Sequence, residues 1–491
     1  ERAYRYRAGA ASDLVRMPEA VAEREREARA SLAEALADTD DALLERLIED
    51  AQATPEELYR VMHRDLAEGL VDAVLLGAAE KGGGVRRLWK ALRHDAPGAE
   101  ETAARRGLPP GDGAVAQVFR TVHTGHGGRL SYARVWRGPI RDGATLNGSR
   151  LGGITRFPAG EAEKIAEAAT GEVVALGRLE GVPTGATLGT GREVPHLPFP
   201  PAPPPVHALA VATEDRKDDV RLMAALARLQ EEDPALAVRQ EAELGQVLIE
   251  GQGEMHLQAA IARLARAHGV KVSVAKPRTA YRETIRRAVR RHARLKRQTG
   301  GHGQFADVTL EIEPRPRGAG FAFAERIVGG AVPKRFIPAV ADAAEEATRK
   351  GPLGHPVVDI AVTLVDGGFH SVDSSDMAFA GATRLAMQEG LAEAAPVLLE
   401  PIHHVTVFVP EEATAGAQRL LAERRGQILG LGPREGWRGW DEIQAQVPAA
   451  ELQGLIIELR SLSSGLGTYL HRFDHLAEVQ GAAALKAAAA G

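Results

Sequence analysis

The chain has 491 residues, of which 44% are hydrophobic and 26% charged, a balance typical of folded globular domains. At roughly 150 residues per domain this length predicts about three domains, and no apolar run approaches the ~18 residues that a membrane span needs. Cysteine is absent and the formal charge is -5, which excludes disulfides and thiolate chemistry, suits a cytoplasmic protein and argues against a uniformly basic nucleic-acid binder.

The first hundred residues predict helices and one buried strand. Residues 19–37 are rich in Glu, Arg and Ala without Gly or Pro, and a second helix is predicted over 55–68, with Thr54 as its cap. Residues 71–76 have the pattern of a buried strand, and a short helix is predicted from about residue 85 to 92. Strand, turn and helix predict the last unit of an α/β domain over residues 1–106. The sequence begins at Glu1 inside a strand-like pattern and without a signal peptide, so we expect a fragment of a longer protein.

The remaining chain predicts four further segments. Short apolar runs broken by Gly over residues 111–194 predict a small β-barrel, and the proline-dense residues 195–205 predict a linker. The order strand-helix-strand-strand-helix-strand, typical of a ferredoxin-like domain, is predicted twice, over 206–275 and 401–480. These two domains flank an α/β region over 276–400, and the Ala-rich tail, residues 481–491, is expected to fray.

The most basic segment spans residues 276–297. It contains ten Lys and Arg residues against the single acid Glu283, a net charge of +9, so the rest of the chain sums to -14. Such a segment can neutralise several phosphates, which favours nucleic-acid binding over a merely solvated edge strand. The candidate RNA-facing side chains within it are Arg290, Arg291, Arg294, Lys296 and Arg297.

A Gly-rich loop follows the basic segment directly. It reads Gly300-Gly301-His302-Gly303-Gln304-Phe305, where glycines allow close backbone approach and Gln and Phe offer an amide and a stacking face to RNA. A simple hairpin turn is the alternative. The loop does not match the dinucleotide fingerprint, and no G-x-x-x-x-G-K-[ST] segment occurs in the sequence, so we expect no triphosphate binding by this chain.

A second polar cluster lies at residues 369–377. His370, Ser371, Asp373 and Ser374 invite a hydrolase interpretation, but a triad needs a base held against the nucleophile and an oxyanion hole, neither of which the sequence indicates. We favour an exposed loop in which Ser374 or Ser375 caps a helix over 377–394, and we keep the hydrolase as the alternative.

Two histidine pairs could share a metal ion. They are His123 with His126 and His403 with His404. Neither pair has a carboxylate at ligand spacing, so surface or core histidines are the better interpretation, and we predict no metal site and no catalytic residue.

These segments together resemble the elongation factor G family, the translocases among the translational GTPases. The resemblance extends from about residue 114 to 479, and its dispersed, ordered motifs leave little room for chance. The matching segments include Gly253-Glu254-Met255-His256-Leu257, Tyr281-Arg282-Glu283-Thr284-Ile285, Lys296-Arg297-Gln298-Thr299-Gly300-Gly301, Val372-Asp373-Ser374-Ser375, Leu399-Glu400-Pro401-Ile402 and Arg424-Arg425-Gly426-Gln427-Ile428.

The resemblance implies an α+β multidomain protein. Its parts would be the remnant of a P-loop α/β domain, a β-barrel domain II, ferredoxin-like domains III and V, and a domain IV of the ribosomal S5-like type. In that family domain IV is an arm that enters the ribosomal decoding site behind transfer RNA, so a ribosomal partner and a monomeric protein are expected. The residues expected to face RNA at the arm's tip are His302, Gly303, Gln304, Phe305, His370, Ser371, Asp373 and Ser374.

The resemblance also implies expectations about nucleotide binding and about the role of the protein in translation. Gly77, Ala78 and Ala79 fall where the family has its guanine-contacting loop, and GTP and Mg²⁺ are expected as cofactors of the full-length protein but not of this chain. Coupling of GTP hydrolysis to translocation is the first expectation; ribosome recycling, tetracycline-type protection and an RNA-binding scaffold without GTPase coupling stay open. His302 replaces a usual Arg and Phe305 a usual Tyr, which indicates a divergent paralogue.

Overall fold

The computed structural model describes residues 3–5, 7, 13–49, 51–124, 128–191, 193–297 and 303–480. The chain forms an α+β multidomain fold and divides into two compact units, residues 1–200 and 201–491. The division falls inside the proline-dense stretch that predicts a linker. Among the described residues, no helix is both long enough and apolar enough to cross a membrane. His302 and the tail that we expect to fray lie outside the described residues.

The first unit begins with a short ribbon and a group of helices. These elements are β1 (Ala3–Arg5), β2 (Asp13–Val15), α1 (Glu19–Ala37), α2 (Asp41–Ile48), α3 (Pro55–Glu68), α4 (Val85–Asp95) and α5 (Ala99–Arg105). Leu36, Leu43 and Val61 form the centre of a small core between α1, α2 and α3. The side chain of Thr54 accepts a hydrogen bond from Glu57 N, and the Glu57 carboxylate accepts one from Thr54 N, a capping box that fixes the start of α3. The two long helices predicted from composition and capping are confirmed.

The buried strand predicted over residues 71–76 is wrong. This segment pairs with no strand among the described residues, and Val74 and Leu76 are 85% and 89% exposed. A strand forms when a neighbouring strand satisfies its backbone N–H and C=O groups, and no described segment does so here. An apolar run alone therefore misled the prediction, although the helix that follows it is present as α4.

The rest of the first unit is a β domain. Its main sheet has six strands in the order β12-β3-β4-β11-β8-β9, and Val118, Leu146 and Leu176 lie in its core. The guanidinium of Arg129 is buried against the carbonyls of Leu179 and Val182. The strands are β3 (Val115–Thr124), β4 (Gly128–Arg137), β5 (Ile140–Arg141), β6 (Thr145–Leu146), β7 (Ser149–Arg150), β8 (Ile154–Arg156), β9 (Glu163–Ile165), β10 (Glu167–Ala168), β11 (Val173–Gly177) and β12 (Thr187–Gly189).

The second unit opens with a ferredoxin-like domain. Its sheet has the order β14-β15-β13-β16, and its two helices cover one face through Leu226, Leu257 and Leu264. The element order is the predicted one. The elements are β13 (His207–Thr213), α6 (Asp219–Glu232), β14 (Ala237–Glu241), β15 (Gln246–Gly251), α7 (Glu254–His268) and β16 (Val272–Ala275).

The next region, residues 282–393, is called the arm. Its sheet has the order β18-β19-β21-β20, in which β20 and β21 run parallel, and the stacked rings of Phe336 and Phe379 lie 4.7 Å apart in its core. The elements are β17 (Arg282–Ile285), β18 (Val289–Arg297), β19 (Gln304–Pro314), β20 (Ala322–Glu325), α8 (Ile337–Ala347), β21 (Ile360–Gly368) and α9 (Asp376–Glu393).

The last region, residues 396–478, is called the C-terminal domain and again has the ferredoxin-like order. Its long first strand also pairs with β17 of the arm, which joins the two regions through one sheet. Tyr469 Oη donates to Val206 O and Arg460 Nη1 to Gln252 O, each at 2.6 Å, so this domain is bonded to the residues around β13 and α7. The elements are β22 (Pro396–Pro410), α10 (Thr414–Glu423), β23 (Gln427–Pro433), β24 (Trp440–Pro448), α11 (Leu455–Leu462) and β25 (Thr468–Glu478).

Candidate nucleic-acid interface

Two loops of the arm meet at one end of its sheet. β18 pairs with β19 up to Arg297 opposite Gln304, and β19 pairs with β21 where Asp307 lies opposite Gly368. Because these strands are antiparallel, the end of β18, the start of β19 and the end of β21 coincide. The loop after β21 then leads into α9, whose N-cap is Ser375: its side chain accepts a hydrogen bond from Ala378 N, which confirms one of the two predicted caps. We call this end of the arm the tip.

Asp373 and Ser374 bind the two tip loops together. Asp373 Oδ1 accepts a hydrogen bond from Gly303 N at 3.1 Å, and Asp373 O accepts one from Phe305 N at 2.9 Å. Ser374 Oγ donates to Phe305 O at 2.7 Å and accepts from His370 N at 2.8 Å. Segments some 70 residues apart are thus held as one surface, and most of the residues that the sequence nominated in both loops are brought together.

His370 is held by its own loop. Its Nδ1 accepts a hydrogen bond from Asp373 N at 3.2 Å, and Asp373 Oδ2 lies 3.2 Å from the same nitrogen. The ring meets Phe305 edge to face, with centroids 6.3 Å apart, and its side chain is 54% exposed. The imidazole is therefore held by its own loop and lies partly exposed at the surface of the tip.

Apolar side chains share the tip with these polar groups. Phe369 is 46% exposed, Val372 62% and Met377 72%. Exposed aromatic and aliphatic groups next to polar donors are what an unpaired base stacks on. The sequence analysis selected only the polar residues between them. The signal that the sequence offered was an apolar residue directly before His370 and another directly before Asp373, in an otherwise polar loop.

The basic strand β18 is partly neutralised by the arm itself. Arg291 Nε donates to Glu389 at 2.8 Å, and Arg294 Nε donates to Asp307 at 2.8 Å. Glu389 raises the pKa of Arg291 through this hydrogen bond. Arg290, Lys296 and Arg297 are exposed and make no ion pair within the described part of the chain. The positive charge that β18 offers to a ligand is therefore smaller than its sequence indicates, and two of the three cations of this strand without an ion pair, Lys296 and Arg297, lie next to the tip.

Glu283, the lone acid of the basic segment, has a structural role that the sequence did not predict. Its side chain is fully buried, and its two carboxylate oxygens accept hydrogen bonds from Leu353 N at 3.0 Å and His355 N at 2.7 Å. Because Glu283 lies on β17 and its two donors lie between α8 and β21, these hydrogen bonds attach the α8–β21 connection to β17. This contact stiffens the base of the arm, opposite to the loops that form the tip.

The hydrolase alternative is wrong on geometry. Ser374 Oγ contacts Phe305 O and His370 N, and both are backbone atoms. Nδ1 of the His370 imidazole faces backbone N–H groups and Asp373. A nucleophile needs its base within hydrogen-bond reach, and within the described tip no hydrogen bond joins this serine hydroxyl to the ring.

The remaining nominated residues do not converge on a site. Gly77, Ala78 and Ala79 are exposed, and Ala78 N already donates to Gly83 O at 2.9 Å. His403 and His404 are neighbours on β22 and point to opposite faces, so they cannot share a metal ion. His126 lies outside the described residues.

His403 instead faces His471 of β25, with the two Nδ1 atoms 3.1 Å apart. Burial lowers the pKa of His403 to about 4, helped by His471 and Arg239, and burial also lowers the pKa of His471. Both imidazoles are therefore neutral near pH 7. Among the described residues, no group of three or more His, Asp and Glu side chains could hold a metal ion.

Known proteins match the second unit domain by domain and also match nearly the whole chain. Family models described as elongation factor G domain III, domain IV and C-terminus match residues 202–276, 277–395 and 397–486. An elongation factor G-like protein of Synechocystis is 48% identical over 481 residues, 98% of this chain and 72% of that protein. A crystal structure from Thermus thermophilus superposes with a TM-score of 0.77 and 34% identity over 99% of this chain and 73% of that one.

Proposed function

The chain belongs to the elongation factor G family, and on that premise we propose that it acts on the ribosome in translation, with the tip of the arm facing RNA of the decoding site. The observation that carries the proposal is the bonding of Gly303 and Phe305 to Asp373 and Ser374, which makes one surface from two loops. That surface presents the imidazole of His370 beside exposed apolar side chains.

The proposed action is mechanical rather than covalent. The tip would occupy the space that transfer RNA leaves, and its donor and apolar groups would contact unpaired nucleotides. The cations of Arg290, Lys296 and Arg297 would neutralise phosphates next to it. Because Gly303 and Phe305 are hydrogen-bonded to Asp373 and Ser374, a force applied at the base of the arm would be passed to the RNA through these bonded residues.

The coupling to GTP is a further part of the proposal. The sequence contains no G-x-x-x-x-G-K-[ST] segment, and the backbone of Ala78 is already hydrogen-bonded within its own loop. We propose that these domains alone bind neither GTP nor Mg²⁺, and that hydrolysis by a GTPase domain drives the arm toward translocation. Fluorescent GDP that binds this chain with micromolar affinity would contradict this part of the proposal.

Ribosome co-sedimentation at increasing salt tests the tip and its cations. Lys296→Ala and Arg297→Ala are each expected to lower the slope of log K against log salt by about 1, because each removes one phosphate contact. Lys164→Ala, an exposed lysine on β9, is the matched control and is expected to leave the slope unchanged. Equal slopes for all three variants would show that β18 does not contact ribosomal RNA.

Assays on the full-length protein separate translocation from the neighbouring roles. A translocase moves peptidyl-transfer RNA to a puromycin-reactive position, a recycling factor splits subunits, and a protection factor restores translation in tetracycline. We expect the first activity, and its stimulation by GTP over a non-hydrolysable analogue. An uncoupled RNA-binding scaffold would instead pellet with ribosomes equally well with and without nucleotide, and it would bind ribosomes no more strongly than free RNA.

A further inference from the structure

Two histidines of the C-terminal domain face each other across a strand pair. β22 and β25 are antiparallel, and a register shift lies between Ile402 and His403. This irregularity brings His403 and His471 to the same face of the sheet, with Nδ1 atoms 3.1 Å apart and ring centroids 5.2 Å apart. Without a further ligand, the two facing nitrogens can form one hydrogen bond: one nitrogen carries the proton and donates it, and the lone pair of the other accepts it.

We propose that His403 and His471 bind one divalent transition-metal ion, Zn²⁺ or Ni²⁺, through their Nδ1 atoms. At a metal–nitrogen distance of about 2.05 Å, two nitrogens 3.1 Å apart subtend an angle of about 98° at the metal. That angle lies between the ~90° of a square-planar or octahedral site and the ~109° of a tetrahedral one. The pair thus has the spacing of two adjacent ligands of a single ion, and imidazole nitrogen suits both metals.

The surroundings leave room for the other ligands. The pair lines a cleft of about 510 Å³ whose wall also includes Tyr469 and Phe473. Solvent or a small anionic ligand can complete the coordination from that cleft. Since no third His, Asp or Glu converges on the pair within the described residues, the site would have two protein ligands and would exchange its metal more readily than a closed structural site.

The charged groups that face the pair come from β14 and β15. Arg239 acts on both histidines, and Glu250 acts on His471. The guanidinium of Arg239 is itself paired with Glu241 and, at 2.9 Å from Nη2, with Glu250. The two carboxylates offset the charge of Arg239, whereas Arg278 and Arg472, which also line the cleft, make no ion pair among the described residues.

Calorimetric titration of the tag-free, chelator-treated chain with NiCl₂ or ZnCl₂ at pH 7.5 tests the proposal. The unmodified chain is expected to bind one equivalent, and His403→Asn and His471→Asn are each expected to weaken that binding by at least about tenfold, because a chelating pair becomes a single ligand. His404→Asn is the matched control: this neighbour points to the opposite face, and binding is expected to be unchanged.

Electron paramagnetic resonance with Cu²⁺ on the unmodified chain gives a readout that does not depend on the folding of any variant. Two coordinated imidazole nitrogens are expected. No binding by the unmodified chain, unchanged affinity in both histidine variants, or a spectrum with fewer than two nitrogens would each overturn the assignment. Because the titration contains no ribosomes or nucleotide, its result is independent of the proposed role in translation.

Discussion

Replacing Asp373 with alanine tests whether the two tip loops act as one surface. The substitution removes the carboxylate that accepts from Gly303 N, but leaves Asp373 O to accept from Phe305 N and Ser374 Oγ to donate to Phe305 O. A hydrogen bond to a charged group contributes about 1.5–3 kcal/mol. Because the Asp373 side chain is 32% exposed, solvent screening reduces this contribution, and we take about 1–2 kcal/mol.

That free energy corresponds to a roughly 5- to 30-fold larger population of the undocked loop. Hydrogen exchange measured by NMR is the direct assay: the Gly303 amide should exchange faster by this factor, whereas the Phe305 amide should change less. Asp373→Asn keeps an acceptor oxygen, so its Gly303 exchange rate should lie between the rates of the unmodified chain and of Asp373→Ala. Asp366→Ala is the control, since among the described residues the carboxylate of this exposed residue accepts a hydrogen bond only from the adjacent Gly367 N.

The reasoning would be refuted by an unchanged Gly303 exchange rate in Asp373→Ala together with an intact fold by circular dichroism. If the protein acts as the proposed translocase, the same variant is expected to slow translocation more than it weakens ribosome binding, because the tip loses the hydrogen bond that joins its loops, and the carboxylate that is removed would repel phosphate rather than attract it. Equal losses in both measurements would mean that Asp373 contributes to affinity and not to the rigidity of the tip.

Two further predictions concern stability. Glu283→Ala is expected to lower the free energy of unfolding by about 3 kcal/mol or more, because two charge-assisted hydrogen bonds at a buried site are lost. Urea unfolding measures this free energy, and a loss below about 1 kcal/mol would contradict the structural role of Glu283. His403, whose pKa is lowered from 6.5 to about 4, binds a proton more readily in the unfolded state, so its contribution is present above about pH 7 and is lost as the pH falls toward 4. At pH 5 the pKa shift alone corresponds to a loss of about 2 kcal/mol in the free energy of unfolding, which solvent screening of the half-buried ring reduces to about 1 kcal/mol. With chelator present, His403→Asn should flatten this part of the stability–pH profile. His404→Asn is the control and should leave the profile unchanged.

The elements that could be predicted from the sequence are those whose formation depends on residues within or next to the element itself. The bounds of α1 and α3 follow from uninterrupted helix formers and, for α3, from Thr54, whose capping hydrogen bond fixes the first turn. The same chemistry predicts Ser374 or Ser375 as the cap of α9, and the structure shows that the cap is Ser375. The two ferredoxin-like orders could be predicted because their helical and strand periods alternate along the chain and each element is short.

The strand expected over residues 71–76 shows where local reasoning ends. Its apolar composition is compatible with burial, but strand formation depends on a partner that no residue within the segment specifies. The same limit applies to Glu283 and to the His403–His471 pair, because their partners are brought close by sheet pairing between distant segments. In each case the residue type was visible in the sequence and its environment was not.

The tip illustrates both sides of this limit and what it means for function. The sequence identified Gly303, Phe305, His370, Asp373 and Ser374 as polar or Gly-rich loop residues, yet nothing local indicated that they bond to one another. Their juxtaposition depends on the β18–β19 and β19–β21 registers, which are set by the buried faces of strands in the body of the arm. The surface that we propose to contact RNA is therefore positioned by the core of the arm. Core substitutions that shift a strand register by one residue would displace the tip, even though none of the tip residues is changed.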